Sequence, residues 1–298
     1  MRTPQPGILA LGTASHAYLE FDVAPGRQGR ELVVAISSMR EPRTTMGGVN
    51  LVAGFRPELW KQVVPADEAP GNVVGFNRDI VGPDRFVMPA TQHDAVLWLS
   101  GIAYDVVFEA SRGAIAALAG LASVADETSS WPYLRDRDLT GFIDGTENPT
   151  LIDAPEVAVI PEGSPGAGGS VLLLQKWPHD AAAWEALPVA RQEAIIGRKK
   201  LDSEEIEDKA PDAHAAVTDQ DRFGKIFRRN MPFGTVTAHG TMFVGFSADQ
   251  SRLSRMLESM AGLGGGPRDA LTRYTRSVSG AYYFVPSTEA LQLIASSG

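Results

Sequence analysis

The stretch Ala17-Tyr18-Leu19-Glu20-Phe21-Asp22-Val23 sets Leu19, Phe21 and Val23 on one side of an extended chain and Glu20 and Asp22 on the other. Alternation with a period of two is the signature of a strand buried on one face. Pro25-Gly26 ends it, and Arg27 to Met39 then repeats apolar residues at helical spacing through Leu32, Ala35, Ile36 and Met39. Gly47-Gly48 introduces a second strand-like run, Val49 to Phe55. A further round follows: Ala95 to Ile102 as strand, Val106 to Leu121 as an alanine-rich helix, and Ala122 to Val124 as a short strand. The first half therefore reads βαββαβ, an order that predicts an antiparallel sheet with helices packed on one face, the ferredoxin-like split βαβ arrangement.

Beyond an irregular stretch, Asp126 to Ile160, and a glycine-rich one, Pro161 to Gly169, the pattern restarts with Val171 to Gln175 as strand. Asp180 suits the N-cap of a helix over Ala181 to Leu187, and Pro188 the first turn of another that runs through Ile196 and stops at Gly197. Thr241 to Phe246 and Ala281 to Val285 read as strands, with a helix over Ser251 to Ala261 broken by Gly262 to Pro267. The expectation is an α+β chain of two tandem ferredoxin-like domains, 1–135 and 136–298. The Pro161–Gly169 stretch reads as the linker between them or as a loop covering a pocket.

A chain of 298 residues, 44% of them hydrophobic, can build a buried cofactor pocket without disulfide or structural metal. Its net charge of -9 repels phosphate backbones and anionic lipid, so neither nucleic acid nor membrane is an expected partner. The absence of cysteine excludes thiolate-ligated haem, iron–sulfur clusters, covalent c-type attachment and every cysteine nucleophile. Ile8 to Leu11 is too short for a signal h-region, and the longest apolar tract, Ala114 to Ala125, falls short of the roughly 20 residues that cross a bilayer. The expected location is the cytoplasm. Zinc-protease, P-loop and serine-hydrolase signatures are missing, and the glycines after Gly262 follow a helix, where no dinucleotide fingerprint belongs.

The segment richest in chemistry is Gly141-Phe142-Ile143-Asp144-Gly145-Thr146-Glu147-Asn148-Pro149. Glycines on both sides of an acid permit a left-handed or closely approached backbone, so Asp144 either projects over a ligand or sits in a plain Asp-Gly turn. The segment resembles the G-x-x-D-G motif of the dye-decolorizing peroxidases in an extended form. Ile195-Ile196-Gly197-Arg198, the His214 segment, Arg228-Arg229-Asn230-Met231-Pro232-Phe233-Gly234 and Tyr283-Phe284-Val285-Pro286-Ser287 follow in that family's order. The resemblance spans nearly the whole chain and is closest to the bacterial B-type members.

The resemblance implies a haem peroxidase that carries one non-covalent haem b, reduces hydrogen peroxide and oxidises dyes, phenolics or other organic one-electron donors through a ferryl intermediate. Among His16, His93, His179, His214 and His239 it assigns the iron to His214, which by position alone reads as a loop histidine. Ala213, Ala215 and Ala216 depart from the serine and basic residue that many relatives carry there, which puts any neighbouring charge contact in doubt. Asp144 would shuttle the peroxide proton and Arg228 would stabilise the departing oxygen. Asn230 would orient a distal water or peroxide, or simply close a turn. Asp269 would accept the second N–H of His214, or cap a helix. Arg198 and Glu147 would meet a haem propionate, with a helix C-terminal charge as the other reading of Arg198. Trp177, Trp184 and Tyr133 read as core residues or as relays to bulky donors. A homo-oligomer is expected. The rival reading is a haem-handling protein for iron release or transport with incidental peroxidase activity.

Overall fold

The computed structural model describes residues 2–41, 43–44 and 47–297. Met1 and Gly298, the outermost residues of the two expected domains, and Pro42, Thr45 and Met46 lie outside the described residues. The main strands are β1 (Ser15–Val23), β2 (Asn50–Phe55), β3 (Ala95–Gly101), β4 (Ala122–Ser130), β5 (Ser170–Pro178), β6 (Phe227–Arg228), β7 (Met231–Gly234), β8 (His239–Ser247) and β9 (Ala281–Val285). The helices are α1 (Gly29–Ser37), α2 (Pro57–Val63), α3 (Tyr104–Ala117), α4 (Ala154–Ala158), α5 (Ala181–Glu185), α6 (Val189–Ile196), α7 (His214–Val217), α8 (Gln220–Phe223), α9 (Gln250–Met260) and α10 (Thr288–Ala295).

All nine strands join one antiparallel sheet in the order β6-β8-β7-β4-β1-β3-β2-β9-β5, and a further pairing of β5 with β8 closes it into a barrel. The expectation of two separate sheets is corrected by this closure. Within the ring, the first half keeps the order β4-β1-β3-β2, the second β9-β5-β8-β7, and the halves meet at Phe284 opposite Phe55 and Phe233 opposite Ser130. An edge strand exposes unpaired backbone groups, and each half satisfies the edges of the other.

Closure also explains β1. Ala17, Leu19 and Phe21 face outward beneath Leu32, Val33 and Ile36 of α1 and Val107 of α3, as their period predicts. The opposite side is not solvent, however: Tyr18 packs inside the barrel with Trp98, Leu174, Val244, Phe246 and Tyr283, and Glu20 is only 3% exposed. On the outer face of the second half, Leu173 and Trp177 of β5 pack against Leu253, Met256 and Leu257 of α9. This layer holds the site.

The boundaries moved where register, not composition, decides. β4 runs to Ser130 because Asp126 to Ser130 continue the pairing with Glu20 to His16. α2, β6 and β7 are elements that periodicity alone does not reveal. The Pro161–Gly169 stretch neither links nor covers: Gly166 N–H bonds Asp67 O at 2.9 Å, Ile160 N–H bonds Gly169 O at 2.8 Å, and none of its residues lines the cavity described next.

Candidate active site

A cavity of about 270 Å³ opens between the outer face of β5 and β8, helices α7 and α9, and the loop that carries Asp144. Leu173, Trp177, Phe243, Met256 and Leu257 make its apolar walls, and His214, Asp144, Arg228, Asn230, Arg198 and Glu147 all line it. Residues from seven separate stretches of sequence thus converge on one space.

One wall is built from α7. Gly197 ends α6 with φ +85°, a left-handed conformation that favours glycine, and a Cβ there would lie 3.2 Å from the Cβ atoms of Ala213 and Ala215. Small residues around His214 therefore let the end of α6 pack against the start of α7. Behind the ring, His214 Nδ1 lies 2.7 Å from Asp269 Oδ2, and Asp269 is completely buried. A buried carboxylate accepts only, so the imidazole N–H sits on Nδ1 and Nε2 keeps its lone pair. The other oxygen, Oδ1, accepts from Leu271 N–H at 2.9 Å and caps the short helical turn Ala270–Arg273. Both readings of Asp269 are realised at once, one on each oxygen.

The other wall is the Gly141–Pro149 loop held against β6. Gly141 and Gly145 both adopt positive φ, +88° and +80°. Asn148, quoted in the motif but given no role, fastens the loop: its Oδ1 accepts from Arg228 N–H at 2.8 Å and its Nδ2 donates to Arg228 O at 2.9 Å. That clamp brings Asp144 and Arg228 to the same side of the cavity. No ion pair joins them among the described residues; Asn230 is the neighbour of Asp144 instead, with Nδ2 3.4 Å from Asp144 Oδ1 while its own Oδ1 accepts from Val244 N–H at 3.0 Å. The Nε of Arg228 is buried without a hydrogen-bond partner.

Asp138 and His179 also reach the cavity, the first unmentioned by the sequence reading and the second not chosen by it. Asp138 is pushed up to about 6, first by its removal from solvent and then by repulsion from Asp144. Its only local sign is Thr140 two residues on, whose N–H it accepts at 2.8 Å. The His179 ring lines the cavity with Nε2 3.1 Å from Thr241 Oγ1, while the expected N-cap, Asp180, accepts from Ala183 N–H. Burial, and then the charge of His239, lowers His179 to about 4 and keeps it neutral. At the rim, Arg198 pairs with both Glu147 and Glu205 and donates to Ser203 O. Trp184 is buried behind the cavity, donating from Nε1 to Thr140 O, and Tyr133 borders a second cavity, about 540 Å³, that shares Asp138, Asp144, Arg228 and Asn230. His16 and His93 lie elsewhere, inside the barrel and against Asp22, and His239 Nδ1 bonds Thr235 O.

The description "Dyp-type peroxidase, C-terminal" matches residues 135–290, the stretch that supplies every residue of this cavity. The chain belongs to the Dyp-type peroxidase family. It is 33% identical to a dye-decolorizing peroxidase of Rhodococcus erythropolis, over 97% of this chain and 88% of that one, and 36% identical to one of Brevibacterium linens, over 82% and 68%. In three dimensions it is similar to a variant of Rhodococcus jostii RHA1 DypB in complex with heme, at a TM-score of 0.88 and 30% identity, covering 98% of this chain and 99% of that one. A dye-decolorizing peroxidase of Bacteroides thetaiotaomicron superposes at 0.88 with 27% identity, covering 99% of each chain. Family membership rests on the second half by motif and on nearly the whole chain by relatives and shape. No helix among the described residues is long and apolar enough to cross a membrane.

Proposed function

We propose that this enzyme binds one haem b non-covalently, reduces hydrogen peroxide, and oxidises dyes, phenolics or other organic one-electron donors. The observation that carries the reading is one cavity lined both by His214, backed by Asp269, and by the group Asp144, Asn230 and Arg228. The chain's residues fit the cofactor. A haem iron would take one protein ligand, the His214 Nε2 lone pair, with its other in-plane ligands supplied by the porphyrin. The apolar walls suit a porphyrin's faces, and the unpartnered Arg228 Nε calls for an acceptor in the cavity.

When bound, haem supplies an iron that accepts the two oxidising equivalents of peroxide and passes them on singly. The protein's part is positional and electrostatic. Asp269 fixes the imidazole tautomer and its orientation. The Asp144 carboxylate takes a proton from the inner peroxide oxygen and returns it to the outer one, and Asn230 holds that carboxylate in place. Arg228, permanently charged, stabilises the oxygen that departs. Asp138 keeps a second exchangeable proton near Asp144. At the rim we assign Arg198, screened by Glu147 and Glu205, to a haem propionate.

Hemin titration should give a Soret band well above free pigment, and His214→Gly should abolish it. Stopped-flow absorption should find Asp144→Ala and Arg228→Ala haem-loaded but roughly 100-fold slower with peroxide; wild-type rates in both would remove their assigned roles. The iron-release or transport reading predicts iron-free porphyrin from haem without peroxide, which the same spectra detect. We further read the two halves, 1–135 and 136–298, as ferredoxin-like units sharing one barrel, in a cytoplasmic homo-oligomer.

A further inference from the structure

Arg229 follows Arg228, and the alternation of an extended chain sends neighbouring side chains to opposite faces. Arg228 lines the active-site cavity, whereas Arg229 reaches into the barrel interior, is 4% exposed, and borders only the second cavity. Its Nη1 donates to Ile8 O at 2.9 Å and less closely to Gly7 O at 3.4 Å, and among the described residues no carboxylate pairs with it. Burial lowers its pKa to about 10, which leaves it charged at neutral pH. A buried cation without a counter-ion is costly to a fold, so its position needs a reason.

The reason lies beneath it. The guanidinium carbon sits 5.1 Å from the ring centre of Trp98. Trp98 is the middle of an aromatic stack, with Tyr18 and His16 each at 5.8 Å and Phe246 at 6.0 Å between ring centres. Phe246 pairs in register with Phe227, the neighbour of Arg228, so the stack lies directly behind the strand that delivers the cavity's arginine. In a chain without cysteine, indole and phenol are the side chains that lose an electron most readily, and these are close to a centre that stores oxidising equivalents.

Oxidation of Trp98 would pass one electron from the indole to the oxidised haem and leave an indole radical cation. The indole N–H proton would then move to His16 Nδ1, its acceptor at 3.1 Å. Each part of that step is opposed. A fixed positive charge about 5 Å from the ring disfavours the radical cation by on the order of a hundredfold at an effective dielectric near 20. His16 resists the proton, because burial and secondarily Arg229 lower its pKa to about 4. Tyr18 fares no better, since its buried hydroxyl has no hydrogen-bond partner to receive a phenolic proton.

We propose that Arg229 is an electrostatic guard that keeps the Trp98–Tyr18 stack reduced, so that oxidising equivalents made in the cavity go to external donors and do not drain into the barrel. The guard acts through Trp98, and the inference rests on the haem-peroxidase reading above. It accounts for the missing counter-ion: a carboxylate beside Arg229 would cancel the field that protects the indole.

The test uses haem-loaded wild type, Arg229→Met and Arg229→Lys, each given excess hydrogen peroxide without a donor. Freeze-quench electron paramagnetic resonance and peptide mass mapping are the readouts. In wild type and Arg229→Lys, Trp98 should stay unmodified; in Arg229→Met, oxygenated Trp98 should rise roughly tenfold or more, with an indole radical signal that Trp98→Phe removes. A structural role alone would not change the identity of the radical, nor be rescued by lysine. Equal modification of Trp98 in wild type and Arg229→Met overturns the proposal. Should Arg229→Met fail to fold, wild type decides: the guard requires its radical spectrum to be unchanged by Trp98→Phe, and a signal lost in that variant refutes it. A haem-loaded wild type that consumes no peroxide overturns the peroxidase reading and the guard together; normal consumption with Trp98 oxidised overturns the guard alone.

Discussion

At the scale of the residue, Asp269 would tie the proposed haem ligation to local stability, because one oxygen meets His214 Nδ1 while the other caps Leu271 N–H. Asp269→Ala should weaken haem binding about 10–100-fold and cost about 1–3 kcal/mol of stability. Asp269→Asn separates the two functions: its carbonyl can still cap, but its amide donates to Nδ1 and drives the ring proton to Nε2, where it blocks the metal. That variant should melt within about 1 kcal/mol of wild type yet bind hemin as poorly as the alanine; tight binding would show that the tautomer does not matter. Glu20 offers a second test. Burial raises it to about 7 despite the hydrogen bond from the Tyr283 hydroxyl at 2.5 Å. Between its ordinary value near 4.5 and about 7, the folded protein holds a proton that the unfolded chain has lost. Stability therefore falls as pH rises through that window and levels off above it, by on the order of 3 kcal/mol in all. Glu20→Gln should flatten this slope in denaturant midpoints measured against pH and be the more stable protein above pH 7; identical slopes would place the titration elsewhere.

At the scale of the element, the site depends on how a loop is fastened to a two-residue strand. Asn148 closes both of its amide bonds on the backbone of Arg228, imitating the pairing a neighbouring strand would make. Asn148→Ala should cost about 1–3 kcal/mol and slow the reaction with peroxide while the haem spectrum persists, because the proximal wall does not use it. Unaltered stopped-flow rates would mean that the loop positions Asp144 without this clamp. The motif's glycines and acid were legible as a functional turn, and the family resemblance gave His214, Asp144 and Arg228 their roles. Asn148, Asp138 and His179 were not legible in that way. Each acts through a partner distant in sequence, and no local spacing encodes a contact made across the fold.

At the scale of the whole molecule, barrel closure gives the central strands of both halves a second buried face. Phe246, Val244, Leu174 and Tyr283 of the second half meet Tyr18, Val52 and Trp98 of the first. Residues 136–298 alone should therefore expose an apolar sheet face and two open edges, and aggregate or remain molten without binding hemin. Circular dichroism and hemin titration of that fragment are the check; a folded, haem-binding fragment would make the halves independent. By themselves, the order of apolar residues determined the main strand and helix succession of the first half and the helix faces, and the lack of cysteine the absence of thiol chemistry, since periodicity and composition act locally. Only the tertiary structure decided that two sheets become one ring, that Glu20 and Arg229 point into a core instead of water, and that residues from 138 to 275 share a cavity. Strand alternation states that a chain has two faces; what each face meets depends on pairing with strands far away in sequence.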